Sequence, residues 1–234
     1  VSRRLEICAA SLASALAAQA GGAHRIELCQ NLEQGGTTPS YGLIKEVRAR
    51  LHIPVFVLIR PRPGGFVYSE DELAIMQTDI ETCCALSCAG VVLGALDVAG
   101  RVDQGACRTL IATAGRLAVT FHRAFDACPD QSGALEAIIA LGCQRVLTSG
   151  GQPTAEAGQV QLAALVAQAA GRVCIMPGAG IMAANVQALA ACTLALEFHA
   201  SAKRLLPPDP AAGLFAAPQF ETDAALVAEL VALL

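Results

Sequence analysis

Seven side chains carry chemistry that an apolar chain has no structural need for where they occur: Cys8, Glu27, Cys29, Arg60, His122, Glu197 and His199. Each lies in, or just after, a short apolar run of the kind that forms a buried strand, as in Val119-Thr120-Phe121-His122-Arg123. The carboxyl ends of parallel strands are where α/β folds place their chemistry. There His122 is suited to general acid or base work near neutral pH, Arg60 to clamping an anion, and Glu27 or Glu197 to orienting a partner or acting as a second base. With His199, these five are the catalytic candidates of an enzyme, a lyase or isomerase, acting on a small anionic or phosphorylated substrate. Cys8 and Cys29 are candidates of another kind. They end consecutive strands, and neighbouring strands lie about 4.8 Å apart, close enough for two thiolates to share a soft cation such as Cu(I). Two small hydrophobes at a rim are the alternative, and spacing alone leaves both open.

The two-residue period of a strand puts Glu6 with Cys8, Glu27 with Cys29, Arg60 with Arg62, Thr120 with His122, and Glu197 with His199 and Ser201 on shared faces. Buried glutamates at positions 6, 27 and 197 need cations opposite, and Arg60, Arg62 and His122 are the expected ones. An ion-paired lining that merely plugs the interior is the competing reading. Because buried pairs usually cost stability against an apolar fill, a pocket is the expectation. Two glycine turns, Ser149-Gly150-Gly151 and Gly178-Ala179-Gly180, follow later strands and could offer backbone N–H groups to an anion. Glycine serves sharp turns with positive φ equally well. The expected anion site is therefore Arg60, Arg62, Ser149, Gly150, Gly178 and Gly180.

These residues need a frame that brings many strand ends to one mouth. The pattern of strand, polar turn, amphipathic helix and glycine repeats eight times. The strands are expected at Leu5–Ala9, Arg25–Cys29, Val55–Ile59, Gly90–Leu96, around Val119–Phe121, Arg145–Thr148, Val173–Met176 and Leu194–His199. Ser11, Ser40, Ser69 and Asp223 open helices, and Ser69 with Glu72 forms a capping box. Eight alternations in about 250 residues are what a closed (β/α)8 TIM-type barrel requires. An open doubly wound sheet usually carries a glycine-rich first turn, and Ala9-Ala10-Ser11 has no glycine. One barrel domain spanning 1–234 is expected, with an irregular proline-rich loop over about 203–220 before the last helix.

Composition narrows the function classes. A chain 54% hydrophobic and only 15% charged suits a sheet buried on both faces. A net charge of −4 with no basic stripe argues against nucleic acid. No run of about 18 uncharged apolar residues suggests a membrane span. Ten cysteines scattered through apolar segments, without a C-x-x-C pair or a signal-peptide pattern at the start, read as reduced thiols of a cytosolic protein.

Taken in order, Leu5-Glu6-Ile7-Cys8, Arg25-Ile26-Glu27-Leu28-Cys29, Gly35-Gly36-Thr37-Thr38-Pro39-Ser40, Ile59-Arg60-Pro61-Arg62, Thr120-Phe121-His122-Arg123-Ala124-Phe125-Asp126, Arg145-Val146-Leu147-Thr148-Ser149-Gly150 and Glu197-Phe198-His199 resemble the CutC family of copper homeostasis proteins. The resemblance runs from the first strand to the eighth. It implies a TIM-type barrel, a cytosolic location, a homo-oligomer and a role in copper handling. The family's proposed Cu(I) ligands, a cysteine pair ending the first two strands, fall on Cys8 and Cys29. Pro63 interrupts the family's Arg-Pro-Arg-Gly-Gly pattern, and the segment after His199 matches poorly.

Overall fold

Short apolar strands alternate with capped helices along the chain, and the strands close on one another. In the computed structural model, which describes residues 3–208, 211, 213–215 and 218–234, the strands are β1 (Arg4–Ala9), β2 (Arg25–Leu28), β3 (Val55–Leu58), β4 (Gly90–Leu93), β5 (Ala118–Phe121), β6 (Arg145–Thr148), β7 (Cys174–Pro177) and β8 (Glu197–Ala200). The helices are α1 (Leu12–Ala20), α2 (Tyr41–Arg50), α3 (Glu70–Ala85), α4 (Gln104–Ala114), α5 (Gln131–Ala140), α6 (Gln159–Ala169), α7 (Ala183–Thr193) and α8 (Ala224–Leu233). Side chains of Ser11, Ser40, Ser69, Asp103, Asp130 and Asp223 accept first-turn N–H groups that would otherwise lack partners. Ser69 and Glu72 make the capping box expected from the sequence.

The ladders of these eight strands are parallel and run in the order β7-β6-β5-β4-β3-β2-β1-β8. β7 and β8 then meet, since a Cβ built on Gly178 would come within 3.4 Å of the His199 Cβ. The result is the single-domain TIM-type barrel that the eightfold repeat predicts. Period 2 divides its apolar residues into two separate clusters. Leu5, Ile7, Ile26, Val57, Leu93 and Phe121 face the helices, while Cys8, Cys29, Phe56, Leu58 and Val92 fill the lumen. Phe56 is the floor of that lumen. The guanidinium groups of Arg25 and Arg145 lie 5.5 and 5.3 Å from its ring centroid, within cation–π range. Gly90, its register partner on β4, leaves space for the ring.

Three expectations are corrected. β4 stops at Leu93, so Gly94–Leu96 is loop. A Cβ at Gly94 would lie 2.8 Å from the His122 ring, and the glycine makes room for that side chain. Leu194–Leu196 is not strand either: Leu194 adopts a left-handed conformation (φ 59°) that ends α7. The proline-rich segment is also less irregular than predicted. β9 (Lys203–Leu205) and β10 (Phe220–Thr222) pair antiparallel, and the Thr222 N–H donates to Ser14 Oγ on α1 at 3.1 Å. Pro210 lies outside the described residues.

The floor generates a stability test. A Cβ at Gly90 would sit 2.3 Å from Phe56 Cε1 and 2.5 Å from the Ala118 carbonyl oxygen. Gly90→Ala should therefore destabilise the protein in urea by about 1–3 kcal/mol. In the Phe56→Ala background the same substitution should cost less, because half of the clash is gone. Equal costs in both backgrounds would show that the backbone contact alone matters.

Candidate functional site

At the carboxyl ends of the strands the lumen opens into a cavity of about 360 Å³, whose polar lining includes Cys8, Glu27, Cys29, Arg60, His122 and His199. Leu32, Leu58, Phe66 and Leu147 form its apolar wall. The period-2 reading holds for β1, β2 and β8: Glu6 with Cys8, Glu27 with Cys29, and Glu197 with His199 point inward. It fails for Arg60 with Arg62, because β3 has ended by then.

The buried glutamates are neutralised, but not by the cations expected. Arg145 Nε donates to Glu197 Oε2 at 2.7 Å. Arg25 reaches both Glu197 and Glu6. The other Glu6 oxygen lies 2.8 Å from His199 Nδ1, and His199 Nε2 lies 3.5 Å from Glu27 Oε2. Three carboxylates thus alternate with two arginines and an imidazole from the floor of the lumen to the mouth. Burial raises the Glu6 carboxyl, but the Arg25 charge and the His199 hydrogen bond outweigh it and hold it at about 2. Burial likewise opposes ionisation of Glu197, and its hydrogen bonds and charges from Arg25 and Arg145 prevail, holding it low. Glu27 goes the other way, pushed up by burial. Burial disfavours a charged His199, yet Glu27, Cys8 and Glu6 raise it well above the usual imidazole range. A carboxylate near each ring nitrogen favours the imidazolium form of His199.

The two cysteines meet as their strand-end positions suggest. Cys8 Sγ lies 3.2 Å from Cys29 Sγ, and both are free thiols. One ligand atom from each of Cys8, Glu27 and His199 lies within 4.8 Å of the others. The hydrogen bond to Cys29, burial and the Glu27 charge raise the Cys8 thiol well above its ordinary value.

Arg60 and His122 stand apart from this cluster, both against Phe66. Its ring centroid lies 5.2 Å from the Arg60 guanidinium and 5.0 Å from the His122 ring centroid. Arg60 Nη1 donates to the Gln34 and Gly36 carbonyls at 3.1 and 2.5 Å, and Nη2 donates to Gly64 at 2.8 Å. Gly36 (φ 85°) is needed there, since a Cβ would lie 2.7 Å from Leu58 Cδ2. Burial and the Arg60 charge push His122 down to about 3. These surroundings favour the neutral ring, whose Nδ1 already accepts the Ala124 N–H.

Most of the remaining anion-site candidates have partners elsewhere. Arg62 turns away to pair with Glu72 and to donate to the Gly65 and Val67 carbonyls. The Ser149 and Gly151 N–H groups go to Asp126 Oδ1, each at 3.0 Å, and the Gly150 N–H goes to Thr148 Oγ1. The Gly178 N–H donates to the Thr148 carbonyl. Gly180 lies in an adjoining cavity of about 390 Å³ that also touches Cys8 and His199. Sequence reasoning missed Arg25, Arg145 and Asp126. Extending period 2 one step back from Glu27 would have found Arg25.

The charge chain sets a pH profile. Glu6 and Glu197, held low, contribute stability that is present above the ordinary 4.5 and is lost as pH falls through their folded values. His199, held high, contributes stability that is present below the ordinary 6.5 and is lost as pH rises through its folded value. Glu27, raised, has the same sign as His199: its contribution is present below the ordinary 4.5 and is lost as pH rises through its folded value. His122, pushed down to about 3, has the opposite sign: its contribution is present above the ordinary 6.5 and is lost as pH falls. Urea unfolding should therefore show greatest stability near pH 6.5. His199→Gln should lessen the fall above that pH; a fall of unchanged size would place its cause elsewhere.

Comparison with known proteins agrees with this architecture. Residues 3–204 match the model of the CutC family. A CutC family protein from Xylella fastidiosa (strain Temecula1) is 61% identical over 206 residues, covering 88% of this chain and 77% of its own. A human protein described as a copper homeostasis protein cutC homolog is 46% identical over 199 residues, covering 85% of this chain and 73% of its own. The solved structure of a CutC protein from Streptococcus agalactiae superposes with a TM-score of 0.82 at 37% identity, over 85% of this chain and 98% of that one. On this family match, these identities and the shared barrel, the chain belongs to the CutC family.

Proposed function

We propose that the chain is a copper homeostasis protein whose barrel mouth binds Cu(I) through Cys8 and Cys29. The observation that carries this reading is the pair of free thiols 3.2 Å apart at the head of two adjacent strands. Thiolates are soft ligands suited to Cu(I), and a buried, partly apolar cavity protects that oxidation state from water. The relatives' names add support, since the human protein is described by copper homeostasis.

The donor set fits the ion after a small rearrangement. Across sulfurs 3.2 Å apart, two metal–sulfur bonds of about 2.3 Å would meet at about 90°. A trigonal site needs the sulfurs about 4 Å apart, within reach of a side-chain rotation. Glu27, grouped with Cys8, is then the natural third donor, since the imidazolium form of His199 has no lone pair to give. Binding must displace thiol protons, because Cys8 is held protonated by Cys29, burial and Glu27. The reading also places the protein in the reducing cytosol, supported by ten cysteines all free. Among the described residues no helix is long and apolar enough to cross a membrane. A homo-oligomer completes the proposal, with exposed Leu194 and Leu196 as apolar contact surface.

Anaerobic Cu(I) titration against a chromogenic chelator tests the site. Wild type should bind one ion more than the Cys8→Ser/Cys29→Ser double variant. The apparent affinity of that site should rise with pH, by about tenfold per unit for each thiol proton released. Equal stoichiometry and affinity in the two proteins would refute the assignment.

A further inference from the structure

The thiol cluster leaves the opposite wall of the cavity without a task. Arg60 is 5% exposed and its Nε–H has no partner; His122 is 4% exposed and its Nε2 has none. Buried polar groups in native proteins are nearly always hydrogen-bonded, so two orphans on one cavity wall point to an absent acceptor. The tautomer of His122 is fixed by its surroundings. Its Nδ1 accepts the Ala124 N–H at 3.1 Å, so the proton of the neutral ring lies on Nε2, which is a donor. Both groups are therefore donors, and Phe66 packs against both.

Charge narrows the acceptor. Arg60 is held by three backbone carbonyls, and among the described residues no carboxylate lies within ion-pair distance of it. One unneutralised cation with one neutral donor matches a monoanion. A phosphate dianion matches poorly, since the backbone N–H groups of Ser149, Gly150, Gly151 and Gly178 are already committed. Glu27 across the cavity further disfavours a second negative charge. The rest of the wall is apolar, formed by Leu32, Leu58, Phe66 and Leu147.

We propose that Arg60 and His122 form a binding site for the carboxylate of a small organic acid with an apolar body. Arg60 supplies charge and its Nε–H, His122 supplies its Nε2–H, and the leucines and Phe66 receive the hydrocarbon. The site is separate from the Cu(I) ligands and does not depend on the copper reading.

Calorimetric titration of metal-free protein, held with a chelator, is the test. The probes are benzoate, phenylpyruvate and 4-methyl-2-oxopentanoate, with benzamide and inorganic phosphate as neutral and dianionic controls. At least one carboxylate should bind about tenfold or more tightly than either control. Arg60 also fastens three loop carbonyls, so its removal would confuse binding with folding. His122→Phe is the better variant because it keeps a ring against Phe66 and removes the donor. It should weaken carboxylate binding by about tenfold, the loss of one charge-assisted hydrogen bond. Long-range ¹⁵N spectra of wild type should show His122 protonated on Nε2, with that nitrogen shifting on titration. Failure of every carboxylate to bind at about 10 mM, equal or tighter binding of phosphate, or unchanged binding by His122→Phe would each overturn the proposal. Because no metal is present, such a failure leaves the Cu(I) titration to stand or fall by itself.

Discussion

The charged cluster on one wall of this barrel rests on Arg25. It opens β2, is 3% exposed, and holds Glu6 of β1 and Glu197 of β8 at once. The register places it directly opposite Glu6. Without it Glu197 would keep only Arg145 and Glu6 only His199, leaving each buried carboxylate short of a partner. With it, Glu6 keeps one oxygen free for His199, His199 reaches Glu27, and both stand beside Cys8. The strands carrying these residues need no further adjustment, because period 2 has already aligned them. An apolar plug of the same volume would be at least as stable, so the polar chain makes sense as a way of presenting charge to the mouth.

That chain divides the cavity into two unlike halves. On the side of β1, β2 and β8, negative and thiol groups gather around one imidazolium. On the side of β3 and β5, a guanidinium and a neutral imidazole face inward with donors to spare. The apolar wall between them screens charge poorly, so each half acts on a ligand, and on the other half, at close to full strength. The proposed soft cation and the proposed carboxylate would each meet a complementary surface a short distance apart.

The frame was legible in the sequence because it depends on repeated local signals: caps, glycine stops and apolar runs. The inward direction of Glu6, Glu27 and Glu197 was legible for the same reason, since a strand's period fixes it. Partnership was harder to read. Arg60 and Arg62 were the conspicuous cations, yet both end up holding loops, Arg60 through carbonyls and Arg62 through Glu72. Their positions lie past the end of β3, where period 2 no longer applies. The cations that do neutralise the lining, Arg25 and Arg145, sit at strand starts, where charge is ordinarily read as solvent-facing. The glycine turn after β6 misled in a similar way. Its N–H groups do bind an anion, but the anion is the carboxylate of Asp126, brought in by the turn after β5.

The two mouth histidines show how far environment, rather than residue type, decides chemistry. His122 and His199 are both buried strand-end imidazoles in one cavity. His199 has a carboxylate on each nitrogen and is held charged. His122 has a backbone N–H on one nitrogen and Arg60 nearby, and is held neutral. An unperturbed histidine would switch between these states near neutral pH, and the surroundings of the two rings push them in opposite directions. One wall favours a cation among acids, the other a neutral donor beside Arg60. Two residues of one type in one cavity are thus given different chemistry by what each ring nitrogen faces.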